Sequence, residues 1–551
     1  GNPDHGKSEF SCCRLEHLNQ FTCLPLTCRP DGPEMTESFE RSFSKGSYLH
    51  AIIDRRAEDA ADRILLSDAE IALDGRGLKE AVDKAADALT LYGVRGGDRV
   101  VLVNENAAAL LVLIFALSRI GAWTVLVNAR LTGNEIRKIT EHAGARTTLF
   151  TTGVSPDAAA HAAAAGAVPF DMAPLTGVQI APLNDAAVAE PLGRDGADQV
   201  AALIYTSGTT GQPKGVMLTH DNLLFIAEVS GSLRAIGPKD LAYGVLPTSH
   251  VFGLASVFLG TLAHGGHLHT ASRFAPKDAA RALAEDGVTI FQGVPAMYAH
   301  LLELAAKNGA PLPAPKLRYL SAGGAPLDLT VKAKVEAMWK QPLHNGYGLT
   351  ETSPTVTTTR MDDPAKDETV GPAIPGVEFR IADRDTGLPK QTGDVGEIWI
   401  RGPNVMKGYY RDTEQTAQVI TSDGWFRSGD LGRADAAGNL FVVGRLKELI
   451  IRSGFNVYPA EVEGVLAQHS DIALSAVVGR VSEDNEEVVA FIQPVAGRTI
   501  EKDALEAHMR ANLAPYKCPS HYVFLKALPA TATGKILKAE LKKQADIISS
   551  G

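Results

Sequence analysis

From about residue 47 to residue 439 the chain alternates short β-rich runs with longer helical stretches. The runs at 98–104, 124–127, 200–205, 243–246 and 289–292 predict strands, and their alternation with helices predicts an α/β fold with layered, mostly parallel sheets. The segment from Ala107 to Leu117 is apolar throughout but gives way to Ser118 and Arg119, far short of the roughly 20 residues that cross a bilayer. It predicts a buried helix and not a membrane span. Residues 157–167 are almost all alanine and predict another helix.

After Arg445 the pattern changes. Residues 447–452 read as a strand, 458–466 as a short helix, 472–479 and 487–493 as strands, and 502–513 as a helix. Together they predict a compact α+β domain of about 100 residues. A large N-terminal α/β domain over 35–445 is thus followed by a small C-terminal one over 446–551, joined near Leu446-Lys447.

With 551 residues, 45% of them hydrophobic, the chain can bury a substantial core and is too long for one ordinary domain. A formal charge of −10 without any Lys/Arg-rich tract speaks against a nucleic-acid binder. A small anionic ligand is compatible with it. Four of the five cysteines (Cys12, Cys13, Cys23, Cys28) fall in the first 28 residues, and Cys518 alone lies in the body. The cluster reads either as a metal or disulfide knot or as sequence outside the fold. Without paired CxxC spacing, and with Met35 placed as a start, residues 1–34 are expected to be a tail outside the fold. A body with one cysteine needs no disulfide and suits a reducing cytoplasm.

The first candidate chemistry is the loop Thr206-Ser207-Gly208-Thr209-Thr210-Gly211-Gln212-Pro213-Lys214-Gly215, set between two strand-like runs. Small residues let backbone N–H groups crowd around phosphate oxygens, hydroxyls add donors, and Lys214 supplies a point charge. The spacing is not that of a Walker A loop, and no helix begins where a phosphate would sit. A polyphosphate ligand fits this string better than a plain flexible turn.

That string closely resembles the nucleotide loop of the adenylate-forming superfamily, which includes acyl-CoA synthetases, luciferases and peptide-synthetase adenylation domains. Four further segments are similar to the superfamily's other motifs, in the same order. They are Asn345-Gly346-Tyr347-Gly348-Leu349-Thr350-Glu351-Thr352, Gly424 to Asp430, Gly444 to Glu448, and Pro529 to Lys535. The family pattern extends over roughly residues 47–542.

The resemblance implies that Thr206, Ser207, Gly208, Thr209, Thr210 and Lys214 hold the phosphates of ATP. Gly323, Gly324 and Ala325 would border adenine and the acyl pocket, although a plain strand-to-helix turn is the alternative there. Asn345, Tyr347 and Gly348 would form the purine surface, Thr350 would offer a hydroxyl, and Glu351 would be the Mg2+ carboxylate. Asp430 can accept from a ribose diol, and Arg445 would add charge beside the nucleotide. The resemblance further implies that Lys535 contacts carboxylate and phosphate as the acyl-adenylate forms. Lys447 would be the hinge about which the small domain turns, bringing Ser453 and Gly454 to a coenzyme A tunnel.

On this reading the chain is an ATP-dependent acid:CoA ligase of the acyl-CoA synthetase branch, with Mg2+ as cofactor and coenzyme A as co-substrate. Catalytic roles fall to Lys535, His250, Thr350 and Glu351. Phe252, Gly253 and Ser256 would wall the acyl pocket. No arginine occurs in 251–260 or 292–297, which points to an uncharged acyl tail, fatty or aromatic, over a dicarboxylate. Loading of a separate carrier protein and luciferase-like oxygenation are the rival readings, and a homodimer is left open. Gly479-Arg480-Val481-Ser482 departs from the family's more usual Gly-x-Pro-Asp, which weakens inference about the coenzyme A surface.

Overall fold

Each of the five predicted runs is a strand in the computed structural model of the protein, which describes residues 41–207, 213–453, 455–482, 485–495, 497–530 and 536–547. They are Arg99–Asn104, Trp123–Asn128, Val200–Ser207, Leu241–Gly244 and Ile290–Gly293. The expected tail, residues 1–34, lies outside the described residues. Among those described, no helix is long and apolar enough to cross a membrane.

The five strands belong to two eight-stranded sheets. In one, Val200–Ser207, Trp123–Asn128, Arg99–Asn104 and Thr147–Thr151 lie side by side and parallel, with Val101 opposite both Val125 and Thr148. In the other, Leu343–Gly348, Tyr319–Ala322, Ile290–Gly293, Leu241–Gly244, His267–Thr270 and Ile64–Ser67 form a parallel core. Both sheets carry antiparallel strands toward their edges, such as Pro213–Thr219 on Val200–Ser207 and Thr355–Thr358 on Leu343–Gly348. The alternation of strand and helix predicts the parallel core; edge pairing is set by where each returning segment finds free backbone donors and acceptors.

The apolar run is the helix Ala108–Ile120, with every residue from 108 to 118 buried. It packs on the strands Arg99–Asn104 and Trp123–Asn128 on one side and on the helix Gly75–Tyr92 on the other, the setting a helix apolar all round requires. A second buried helix, His220–Leu233, opens on a Thr219 capping box. It packs against the strands Val200–Ser207 and Pro213–Thr219 and against the helical segments Phe252–Leu259 and Gly260–Ala263. Its carboxyl end therefore points Arg234 into the ground between the two sheets.

A four-stranded antiparallel sheet of Glu378–Ala382, Gly396–Arg401, Phe426–Ala434 and Leu440–Arg445 follows. Beyond it the predicted strand at 447–452 begins instead as a single helical turn, Leu446–Glu448, and only Ile450–Arg452 is extended. The predicted elements that follow are present: helices Pro459–Ala467 and Lys502–Asn512, and strands Ile472–Ser482 and Asn485–Pro494. This part has core clusters of its own, one built on Ile450, Val462, Leu466, Val477 and Met509 and one on Val489, Phe491 and Leu541. Those clusters draw on no residue before Ile450.

Candidate active site

The strands Tyr319–Ala322 and Leu343–Gly348 run parallel with Ala322 opposite Asn345. Their carboxyl ends therefore open together, where ligands of α/β sheets bind. A cleft of about 540 Å³, partly open to solvent, lies there. His250, Phe252, Gly323, Gly324, Asn345, Tyr347, Gly348 and Thr350 line it. A Cβ on Gly348 would fall 1.8 Å from the Pro354 carbonyl oxygen, so only glycine permits that approach of backbone to backbone. A second cavity, of about 550 Å³ beside Asp68 and Thr151, holds none of the motif residues.

Two clusters fix charged groups at the rim. In the first, the Tyr347 hydroxyl donates to Asp430 Oδ2 at 2.7 Å, and Arg445 Nε lies 3.3 Å from Asp430 Oδ1. The antiparallel register that places Asp430 opposite Arg445 makes the pair. Burial, and then the neighbouring carboxylate, hold the Tyr347 phenol protonated well beyond its usual range. Asp430 is buried beside both groups, a carboxylate of the kind that accepts from a diol.

In the second cluster, the Tyr409 hydroxyl donates to Glu351 Oε1 at 2.9 Å, and the Lys214 ammonium sits 5.5 Å from the centre of the same ring. Tyr409 is carried on the two-residue strand Gly408–Tyr409, which pairs with Pro213–Thr219 and so is tied to the phosphate loop's own strand. Partial burial, and then the nearby Lys447, lower the pKa of Lys214. Among the described residues there is no cluster of three metal-ligating side chains. Glu351 Oε2 takes no hydrogen bond from a described residue, so the site fits a hard cation held by one carboxylate and completed by phosphate oxygens and water.

The His250 loop is held from the opposite sheet. Thr248 donates through its backbone N at 3.0 Å and through Oγ1 at 3.2 Å to Asn106 Oδ1, while Asn106 Nδ2 donates to the Leu246 carbonyl at 2.9 Å. Asn106 was not among the expected site residues. Neither were Tyr409 and Arg234, which has a wall position in the cleft. The signal that could have found them is spatial: each acts across more than 20 residues of chain.

Not every expected residue faces the cleft. Phe252 does, with its ring 3.1 Å from where a Cβ on Gly323 would stand. Gly253 faces away, because a Cβ there would meet the Pro247 carbonyl oxygen at 2.3 Å; the next residue of a helix points about 100° round the axis. Ser256 is fully buried behind the wall, its Oγ 3.3 Å from Thr355 Oγ1. Ala325 is exposed beyond the turn and does not line the cleft. Thr206 pairs with Lys214 across the antiparallel ladder. Ser453 N donates to Asn485 Oδ1 at 2.6 Å, within the small C-terminal part. Gly208, Thr209, Thr210, Gly454 and Lys535 lie outside the described residues, as does the side chain of Ser207.

The chain matches the model of the AMP-binding enzyme family over residues 53–410 and that of the AMP-binding enzyme C-terminal domain over 461–535. It is 36% identical to a feruloyl-CoA synthase of Amycolatopsis sp over 85% of this chain and 93% of that protein. Among solved structures it is similar to ATP-bound MatB from Rhodopseudomonas palustris, with a TM-score of 0.78, 29% identity, and coverage of 91% of this chain and 99% of that one. It is also similar to the Bacillus subtilis O-succinylbenzoate coenzyme A synthetase in complex with ATP and a magnesium ion, with a TM-score of 0.76, 27% identity, and coverage of 89% and 99%.

Proposed function

The chain belongs to the AMP-binding enzyme family of adenylate-forming acid:CoA ligases, and from that premise we propose that its cleft joins a carboxylic acid to AMP and then to coenzyme A. The observation that carries the reading is that Tyr347 and Thr350 of the cleft wall adjoin three charged groups: Asp430, held by Tyr347 and Arg445; Glu351, next to Thr350 and held by Tyr409; and Lys214, beside the Tyr409 ring. An aromatic-walled recess beginning at His250 and Phe252 continues from them.

In the first step a carboxylate oxygen of the acid attacks the α-phosphorus of ATP in line, and pyrophosphate leaves. No protein nucleophile is consumed. The chain binds and orients: Asp430 takes the ribose, Tyr347 and Gly348 flank the base, and Thr206 to Lys214 hold the phosphates. Arg445, Lys214 and Lys535 supply positive charge preplaced for what develops at phosphorus. Mg2+, when held by Glu351 with Thr350 beside it, neutralises phosphate charge. In the second step a thiolate of coenzyme A attacks the acyl carbonyl, the C–O bond to phosphate breaks and AMP leaves. His250 orients the acyl carboxyl group.

Residues 446–551 are proposed as a small domain that turns about Lys447 between the steps, withdrawing Lys535 and presenting Ser453 and Gly454 to the thiol. Its self-contained cores support that division from residues 35–445. A cytoplasmic setting accords with Cys518, which is free.

Pyrophosphate release with ATP across a panel of fatty and aromatic acids is the test, followed by thioester formation on adding coenzyme A. Release without any thioester would favour the carrier-loading reading. No release with any acid would overturn the enzyme reading.

A further inference from the structure

The acyl end of the cleft contains a cation with no anion. Arg234 caps the helix His220–Leu233, is 6% exposed, and lines the cleft. Its Nη1 donates to the Ser256 carbonyl at 3.1 Å, its Nε reaches the Tyr319 hydroxyl at 3.4 Å, and its guanidinium lies 5.9 Å from the centre of the Tyr319 ring. These contacts use two of the five donors of the fork. Nη2 meets no described acceptor, and no described carboxylate lies within ion-pair distance. A buried charge without a counter-ion is costly, and chains keep one where a ligand completes it.

A second, independent observation lies on the same wall. Ser321 Oγ lines the cleft buried and without a hydrogen-bond partner among the described residues, and both amide atoms of Gln292, which stands opposite Ser321 in the parallel ladder, are likewise unpartnered there. Buried polar groups in folded proteins are nearly always satisfied, so such a group of exceptions calls for a ligand. Depth fixes which end of the substrate Arg234 would meet. Tyr319, on which Arg234 rests, is three residues back along its strand from Ala322, about 10 Å below the rim at which adenylation would occur.

Resting on the ligase reading above, we propose that Arg234, with Gln292 and Ser321 on the strands beside it, forms a polar subsite that selects carboxylic acids bearing an oxygen acceptor, a second carboxylate or a carbonyl, at the end remote from the reacting carboxyl. The expectation of a wholly uncharged tail came from residues 251–260 and 292–297 and did not include this upstream arginine.

The test is a ratio. kcat/KM for ATP-dependent pyrophosphate release is measured for matched pairs: adipate against hexanoate, and para-carboxy- and para-acetyl-phenylpropanoate against phenylpropanoate. The oxygenated member is expected to lead by at least about tenfold, the size of one hydrogen bond to a charged group. Arg234→Met is expected to collapse that ratio at least tenfold. Ser321→Ala keeps the question answerable if Arg234→Met fails to fold. Its hydroxyl has no hydrogen-bond partner among the described residues, so the melting temperature should hold or rise while the ratio falls about threefold or more. Equal use of both members of each pair, or a ratio left unchanged by both variants, overturns the subsite alone. Absence of pyrophosphate with every acid overturns the ligase reading and the subsite with it.

Discussion

The two ends of the cleft are built on opposite electrostatic terms. At the nucleotide end the acceptors already have partners: Asp430 receives Tyr347 and Arg445, and Glu351 receives Tyr409. At the acyl end the Arg234 guanidinium has no counter-ion among the described residues, and the side chains of Ser321 and Gln292 beside it have no hydrogen-bond partner there. The nucleotide is common to every turnover, so its contacts can be preorganised by the protein. The acyl end leaves its strongest donor to the substrate, and that is where discrimination is greatest, because a substrate lacking the matching group leaves buried polar atoms unpaired.

The largest expected effect lies at the nucleotide end, on the group delivered from the C-terminal part. Lys535→Ala should slow acyl-AMP formation about a hundred- to a thousandfold, while thioester formation from supplied acyl-AMP persists. Separate assay of the two half-reactions checks this, and equal loss in both would remove the distinction between a mobile cation and a fixed one. Next in size is Asp430→Asn. It keeps one acceptor oxygen but loses the charge that Tyr347 and Arg445 hold in place. KM for ATP should rise about tenfold or more, as for a charged hydrogen bond of about 1.5–3 kcal/mol. An unchanged KM with a lowered melting temperature would make Asp430 a strut and not a ligand.

The same contrast explains what could be read from the sequence. Strands such as Arg99–Asn104 and Trp123–Asn128 are continuous apolar runs because both faces of a covered parallel sheet are buried, so their positions were legible. The antiparallel edge strand Gly408–Tyr409 was not, since it is two residues long and exists only through its pairing with Pro213–Thr219. The nucleotide residues sit together in short motifs whose order along the chain is itself informative. Arg234 follows a helix of ordinary buried pattern, and its meaning depends on Ser256 and Tyr319, which are 22 and 85 residues away. Gly253 and Ser256 show the converse: they lie beside Phe252 in sequence, yet the helix turns one toward Pro247 and buries the other behind the wall.

Tyr409→Phe sharpens the comparison by removing one partner from an acceptor that has it. The ring that lies beside Lys214 stays, and only the hydroxyl bond to Glu351 is lost. The Mg2+ concentration for half-maximal rate should change about fivefold, the equivalent of roughly 1 kcal/mol. The expected direction is upward, because Glu351 loses the contact that orients it toward the cation. A change in KM for the acid with none in Mg2+ dependence would place Tyr409 at the wrong end of the cleft.

The smallest effect concerns two cations that face each other. Burial and Lys447 both favour the neutral amine of Lys214, whereas Asp412 and Glu351 favour the ammonium. A lysine with a lowered pKa loses its charge earlier as pH rises, so adenylation should decline on the alkaline side as Lys214 deprotonates. Lys447→Ala removes one of the two influences that lower that pKa, and the alkaline limb of the pH profile for pyrophosphate release should move to higher pH. A limb that moves lower, or stays, would mean that Lys447 does not act on the phosphate side through its charge. Because alanine leaves the backbone free to rotate, this variant separates the electrostatic role of Lys447 from its proposed role as a pivot, which Lys447→Pro would probe through the thioester step.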